Sequence, residues 1–280
     1  MDQQRLPPGL YIVATPIGNL GDLSPRAADT LRRADLVLVE DKRVTSKLLA
    51  HSGAKVRMAN YNDHTSQAER QAIVARLGSE AVALVSDAGT PLISDPGYKL
   101  VRDARSAGHA VTTVPGPCAA IAALSVSGLP TNCFLFLGFL PAKAKARSDA
   151  IAEIAHVRAT LIIYESGQRL GETLGALRKQ LGPRDAAVAR EITKLHEECV
   201  TGSLTDLVNR YAGAAVPKGE IVIVVAPPLE AEAVSQGDLD ALLSAAMNDL
   251  SPSRAAAEVA EQLGIPRKRA YARALELSRK

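Results

Sequence analysis

The chain has 280 residues, 47% of them hydrophobic and 22% charged, a net charge of +3 and no Trp, as expected of a soluble globular protein of one or two domains with an aliphatic core. No apolar run approaches the roughly 18 residues needed to span a bilayer, and the polar start Met1–Pro8 lacks the apolar centre of a signal peptide, so a cytoplasmic protein without membrane contact is expected. Cys118, Cys133 and Cys199 are far apart and show no CxxC spacing, which favours idle thiols over a metal or redox site.

Leu10–Ala14 is a strand, and Thr15-Pro-Ile-Gly-Asn-Leu-Gly-Asp22 follows as a loop with two glycines. Ser24 and Pro25 open a helix, Ser as cap and Pro in the first turn. Leu36–Glu40 is the second strand, ending in the charged run Glu40-Asp-Lys-Arg43; a helix through Leu48 and Leu49 and a weak strand near Val56 come next. Beyond the polar loop Tyr61–Thr65, a helix runs over 67–77. The short apolar run Val82–Val85 reads as a buried strand, and it ends in Ser86-Asp-Ala-Gly-Thr-Pro91. Gly89 lets a ligand approach the main chain, while Asp95 and Pro96 have the chemistry of a helix start. Such a strand, loop and helix is how open α/β sheets build ligand sites, although a plain tight turn has the same pattern. A helix over 97–106, a strand over 110–114, the rigid turn Pro115-Gly-Pro117 and a helix over 118–127 complete the first half.

Gly128–Asn132 resembles an interdomain connector. Phe134–Leu140 is an apolar strand, Pro141–Arg147 a basic loop, 149–156 a helix and 160–164 a strand. Glu165–Arg169 precedes a helix to Leu181; a strand over 186–189 leads into Arg190–Glu198; a helix over 204–211, the loop Val216–Glu220 and a strand over 221–225 follow. The tail from about Ala233 is helical, and a helix over 253–263, the turn Gly264-Ile-Pro266 and a helix over 267–277 make a helix-turn-helix pattern. Its last 30 residues carry seven Lys or Arg against Glu258, Glu261 and Glu276, which suits a polyanionic partner; a hairpin that only buttresses the body would look the same. The expected fold class is α/β: two α/β domains, 1–127 and 128–230, with a mostly parallel sheet in the first half, and a basic helical extension over 231–280.

Several standard sites are missing from the sequence: GxGxxG after the first strand, GxxxxGK[ST], HExxH and GxSxG. The ligand is therefore not expected to be an ordinary nucleotide held through its phosphates.

Three stretches, Ala14–Asp22, Ser86–Gly97 and Pro115–Ala120, resemble the tetrapyrrole methylase superfamily. Phe139–Lys143, Tyr164–Ser166, Ala189–Lys194 and Lys218–Glu220 narrow the resemblance to the family of ribosomal RNA small subunit methyltransferase I, over roughly residues 9 to 228, and the tail is similar to that family's helical extension. The resemblance implies two α/β domains with S-adenosylmethionine in the cleft between them. It also implies a homodimer, a partner in 16S rRNA or the small ribosomal subunit, and methylation of the ribose 2′-hydroxyl of a decoding-centre cytidine, number 1402 of that RNA.

Carried onto this chain, Asp87, Ala88, Gly89, Thr90, Pro91, Leu92 and Ile93 would hold the methionine end and ribose of the cofactor. Pro16, Pro117 and Ala119 would border the cleft from the first domain, and Tyr164, Ala189, Val216, Pro217 and Lys218 would close it from the second. One departure is Ser86, where other superfamily members often carry Gly before the Asp. A ribose hydroxyl needs in-line placement and a base to take its proton. His64 and Glu191 are the first candidates, with Lys194 and Glu197 behind them; a helix-capping role for His64 and a surface ion pair for Glu191 are the plainer readings. Positive charge for RNA is expected from Lys143, Lys145, Arg147, Arg169, Arg190 and Lys194, with Lys218 in a nearby loop, and from Arg267, Lys268 and Arg269 in the tail. A small-molecule methyltransferase acting on a tetrapyrrole or corrinoid precursor is the alternative, and the basic loops and tail argue against it.

Overall fold

The computed structural model describes residues 5–213, 216, 217, 219–228, 236–263 and 267–278. Contacts divide the chain into two compact units, 1–227 and 228–280.

The larger unit contains two five-stranded sheets. The first has β1 (Gly9–Val13), β2 (Leu36–Val39), β3 (Arg57–Asn60), β4 (Ala81–Leu84) and β5 (Val111–Val114), all parallel, in the order β3-β2-β4-β1-β5. Strands β1, β2 and β4 are buried throughout, which is why they read as continuous apolar runs rather than alternating ones. Helices α1 (Pro25–Arg33) and α2 (Lys42–Ser52) cover one face, packing Leu31, Leu48 and Leu49 on Val13, Val37 and Val39. The opposite face is covered by α3 (Gln67–Arg76) and α4 (Tyr98–Ser106), where Leu100 and Ala104 meet Leu10, Ile12 and Leu84. The chain therefore leaves β1 toward β2 over one face and leaves β4 toward β5 over the other. Strands β1 and β4 are neighbours, so the crevice beyond their carboxyl ends is a topological switch point, where open α/β sheets place ligands. Ser24 caps α1 by accepting from the Ala27 N–H, with Pro25 at its start. Ser66 and Glu69 form a reciprocal cap at the start of α3.

The second sheet has the order β6-β7-β10-β8-β9, from β6 (Phe134–Phe139), β7 (Thr160–Ser166), β8 (Asp185–Arg190), β9 (Glu198–Ser203) and β10 (Glu220–Val225). Only β6 and β7 run parallel; the other neighbours are antiparallel. Side chains alternate along β7: Leu161 and Ile163 join the core under α6 (Ala144–Ile154), α7 (Leu170–Leu181) and α8 (Leu204–Tyr211), while Ile162 and Tyr164 face α5 (Ala119–Val126). Helix α5 follows the first sheet in the chain but packs its Ala120, Ala123 and Leu124 on the second.

Three details differ from the sequence expectations. Strand β9 was not expected; Glu-Cys-Val-Thr-Gly-Ser has the mixed composition of a half-exposed edge strand. Helix α4 begins at Tyr98 with Gly97 as its cap, so Asp95 does not cap it. The segment expected as a basic loop to Arg147 already turns helical at Ala144, which puts Lys145 and Arg147 on α6.

The smaller unit is a three-helix cluster of α9 (Gln236–Ala246), α10 (Pro252–Leu263) and α11 (Arg267–Leu277). Leu239, Leu243, Val259, Ala270 and Ala274 form its core, and Arg273 of α11 pairs with Asp240 of α9 at 2.5 Å. The turn expected over 264–266 lies outside the described residues.

Candidate active site

A cavity of about 450 Å³ opens where the carboxyl ends of the first sheet face the second. That volume lies in the ordinary range for small-molecule sites. Strand β4 stops at Leu84 because the loop after it is pinned elsewhere: Thr15 and Gly89 exchange backbone hydrogen bonds, N–H to C=O, at 2.8 and 3.1 Å. The Thr90 hydroxyl donates to the Pro117 carbonyl at 2.9 Å. Gly89 has φ 83°, and a Cβ there would fall 3.3 Å from the Ile17 side chain. Further on, Leu92 and Ser94 take left-handed backbone angles, φ 74° and 65°. Gly97, at φ 138°, leaves no room for a side chain beside Leu84 and Leu92. This double reversal turns Asp95 back toward the cavity, where Ser86 bonds it, instead of along the helix that follows.

Three carboxylates from the first sheet meet there: Glu40 at the end of β2, and Asp87 and Asp95 after β4. Desolvation pushes Asp95 above the usual carboxylate range, aided by the charge of Asp87 and opposed by the bond from Ser86. Glu40 is raised as well, first by desolvation and then by the charges of Asp87, Asp95 and Asp63. The niche thus holds more negative charge than its own groups satisfy, which favours a cation.

The second sheet supplies the facing wall. Tyr164 accepts a hydrogen bond from the Ala120 N–H at 3.2 Å, packs edge-on against Phe136 and Phe139, and its phenol is held well above its ordinary value, chiefly by burial. Beside it, the buried Glu165 accepts from the Thr173 hydroxyl at 2.6 Å and from the Ser166 N–H at 2.8 Å. Arg169 stands 3.4 Å from the same carboxylate.

Of the residues expected to hold a cofactor, Asp87, Ala88, Gly89, Thr90, Ile93, Ala119 and Tyr164 line this cavity together. Pro16 lines a neighbouring hollow. The Pro117 carbonyl anchors Thr90, Pro91 is buried, and Leu92 packs into the core beside Leu84. Ala189 is buried in β8 under α5. Val216 is exposed, the Pro217 carbonyl lies against Gly167, and Lys218 is outside the described residues. Sequence reasoning missed Glu40 and Asp95 as site residues. The available signal was their place at or just beyond the ends of apolar strands.

Neither candidate base lines the cavity. His64 is exposed on the loop after β3, its N–H bonded to the Asn62 side chain at 3.0 Å, and the cap of α3 is Ser66. Glu191, at φ 51°, accepts from the Lys194 ammonium at 2.9 Å and the Glu220 N–H at 3.2 Å. The Lys194 bond first, then that of Glu220, holds its carboxyl below the usual range, against some desolvation.

The expected RNA-facing cations divide. Arg147 is buried, donating to Glu172 at 3.0 Å and to the Ala142 carbonyl, and Arg169 donates to the Leu140 carbonyl at 2.7 Å; both brace the β6–α6 corner instead of facing solvent. Arg190 pairs with Glu198 at 3.2 Å, and Lys194 with Glu191 and Glu220. Lys143, Lys145, Arg267 and Lys268 are exposed, Lys145 with Asp149 at 2.7 Å; the Arg269 side chain is outside the described residues. Among the described residues no cluster of His, Cys, Asp and Glu is arranged to hold a metal ion, and no helix is long and apolar enough to cross a membrane.

Residues 9–208 match the Tetrapyrrole (Corrin/Porphyrin) Methylases, and residues 233–278 match the RsmI C-terminal HTH domain. The ribosomal RNA small subunit methyltransferase I of Erythrobacter litoralis (strain HTCC2594) is 55% identical, covering 98% of this chain and 97% of its own. That of Mesorhizobium japonicum (strain LMG 29417 / CECT 9101 / MAFF 303099) is 48% identical over 97% and 93%. Among solved structures, a diphthine synthase aligns with TM-score 0.62 at 17% identity, covering 78% of this chain and 89% of its own. A cobalt precorrin-4 methyltransferase aligns with TM-score 0.55 at 16% identity, covering 78% and 94%. These two distant likenesses show the fold.

Proposed function

The chain belongs to the tetrapyrrole methylases, in the ribosomal RNA small subunit methyltransferase I family, and from that premise we propose that it methylates the ribose 2′-hydroxyl of cytidine 1402 in 16S rRNA, using S-adenosylmethionine. The observation that carries the cofactor assignment is the acidic niche at the tip of β4, where Glu40, Asp87 and Asp95 face one cavity. S-adenosylmethionine has a net positive charge and, when bound, supplies a methyl carbon made electrophilic by a sulfonium. The donor set fits: carboxylates for the cationic centres, and Ile17, Ile93, Ala119 and Tyr164 for the apolar and aromatic surfaces.

In this reading the chain's own residues bind, orient and exclude water. Ala88, Gly89 and Thr90 offer main-chain groups on a loop fixed by Thr15 and Pro117. Tyr164 and Phe139 close the side away from the first sheet. Asp87 and Glu220 border both this cavity and the hollow beside it; Glu220 is bonded to Lys194, so the Asp87 carboxylate is the group placed to receive a hydroxyl proton. In this reading Glu191 holds Lys194 in place. Lys143, Lys145, Arg267, Lys268 and Arg269 serve the RNA backbone. The functional parts are 1–127, 128–230 and 231–280, acting in a cytoplasmic homodimer.

Incubating the full chain with labelled S-adenosylmethionine and small ribosomal subunits tests the reading. The label is expected in 16S rRNA, on a ribose that becomes resistant to alkaline cleavage. Transfer to a corrinoid precursor and none to RNA would overturn it. Removing 228–280 should weaken RNA binding at least tenfold and leave donor affinity within twofold; unchanged RNA binding would make the tail structural.

A further inference from the structure

We propose that the hollow beside the donor cavity seats the acceptor nucleotide of the RNA, an inference that rests on the reading of the chain as an RNA methyltransferase. The hollow measures about 300 Å³ and shares Ile17, Asp87, Ala88 and Glu220 with the donor cavity, so a group seated in it meets the donor across the Asp87–Ala88 wall. Part of its lip is apolar. Leu20 and Val44 are 43% and 42% exposed, and they come from two separate elements, the turn after β1 and the first turn of α2. Exposed aliphatic side chains at a hollow suit the face of an unstacked base.

Two cations flank that lip. Lys47 is exposed on α2 and makes no ion pair among the described residues. Lys194 reaches across from the second sheet and lies flat on Gly18, where a Cβ would fall 2.4 Å from its Cε. Burial pulls its ammonium down, but the bonds to Glu191 and Glu220 outweigh that and keep it charged. Apolar surface for a base, the Lys47 ammonium for a phosphate and a carboxylate at the shared wall match a ribonucleotide.

Val44→Trp in the full-length protein fills the hollow from its exposed rim. It is expected to lower kcat/KM for small-subunit RNA at least a hundredfold while the donor Kd, measured by calorimetry, stays within twofold. Lys47→Ala is expected to raise KM for RNA several-fold with kcat nearly unchanged, and to flatten the salt dependence of RNA binding by about one counterion. Wild-type activity in Val44→Trp would overturn the acceptor site and leave the proposed function standing. Loss of donor binding in a folded Val44→Trp would assign the hollow to the donor, and also overturn it. Failure of the wild-type protein to methylate any RNA would defeat the underlying reading, and this one with it.

Discussion

The two sheets of the larger unit are built by different rules, and they contribute different things to the cleft. In the first, every strand is parallel, so all carboxyl ends fall on one edge and the loops there carry Glu40, Asp87 and Asp95. In the second, most neighbours are antiparallel and no such edge exists; it offers side chains from strand ends and a loop, Phe139, Tyr164, Glu165 and Gly219–Val222. The first sheet turns Glu40, Asp87 and Asp95 to the cavity, whereas the second sheet's carboxylates there, Glu165 and Glu220, are already bonded to Thr173 and Lys194, so that sheet mainly sets shape and closure.

If that division is right, damage to the second sheet should register mainly as lost stability. Glu165→Ala strips partners from the Thr173 hydroxyl, the Ser166 N–H and the nearby Arg169. A loss of about 3 kcal/mol is expected from breaking such a buried cluster, read by urea denaturation, with Glu165→Gln much milder. Equal stability in both variants would break the comparison. Damage to the first sheet should instead register in binding: Asp87→Ala is expected to weaken donor affinity at least tenfold, about 1.4 kcal/mol or more, with an unaltered melting curve. Unchanged affinity by calorimetry would remove Asp87 from the site.

Acidification sharpens the contrast further. Glu40 and Asp95 have raised values in the folded protein, so over the range above their unfolded values the folded state binds more protons. Their contribution to the stability of the ligand-free protein is therefore fully unfavourable at high pH and is relieved as pH falls through the raised folded values. Donor affinity should move the other way, falling as the same carboxylates neutralise. Calorimetry and melting curves at a series of pH values, the latter compared with a Glu40→Gln, Asp95→Asn double variant, check both: the stability difference between the two proteins should shrink as pH falls, and a constant difference would contradict the niche. The smallest effect is expected at His64: exposed and outside the cavity, it should tolerate His64→Ala with activity within about twofold. A hundredfold loss, in the range of general base catalysis, would restore it as the base.

How much of this was legible follows the same division. Strand–helix alternation in the first half announces itself because apolar runs such as Val82–Val85 are punctuated by Ser24-Pro25 and the Gly89 loop. The second half conceals β9, whose Glu198–Ser203 sequence is half polar because it is an edge. Site residues divide likewise. The Asp87–Thr90 loop carries its own signature, whereas Glu40 and Asp95 come together only through the strand order β3-β2-β4, a long-range property no local pattern encodes. Arg147 and Arg169 looked like surface charge because sequence shows their type but not the Leu140 and Ala142 carbonyls that take them inward.

The most direct measurement is a crystal structure of the protein soaked with S-adenosylmethionine. The sulfonium is expected beside Asp87 and Asp95, with Tyr164 across from it. Density for the donor in another part of the molecule, or a crystal that takes up none at saturating concentration, would contradict it.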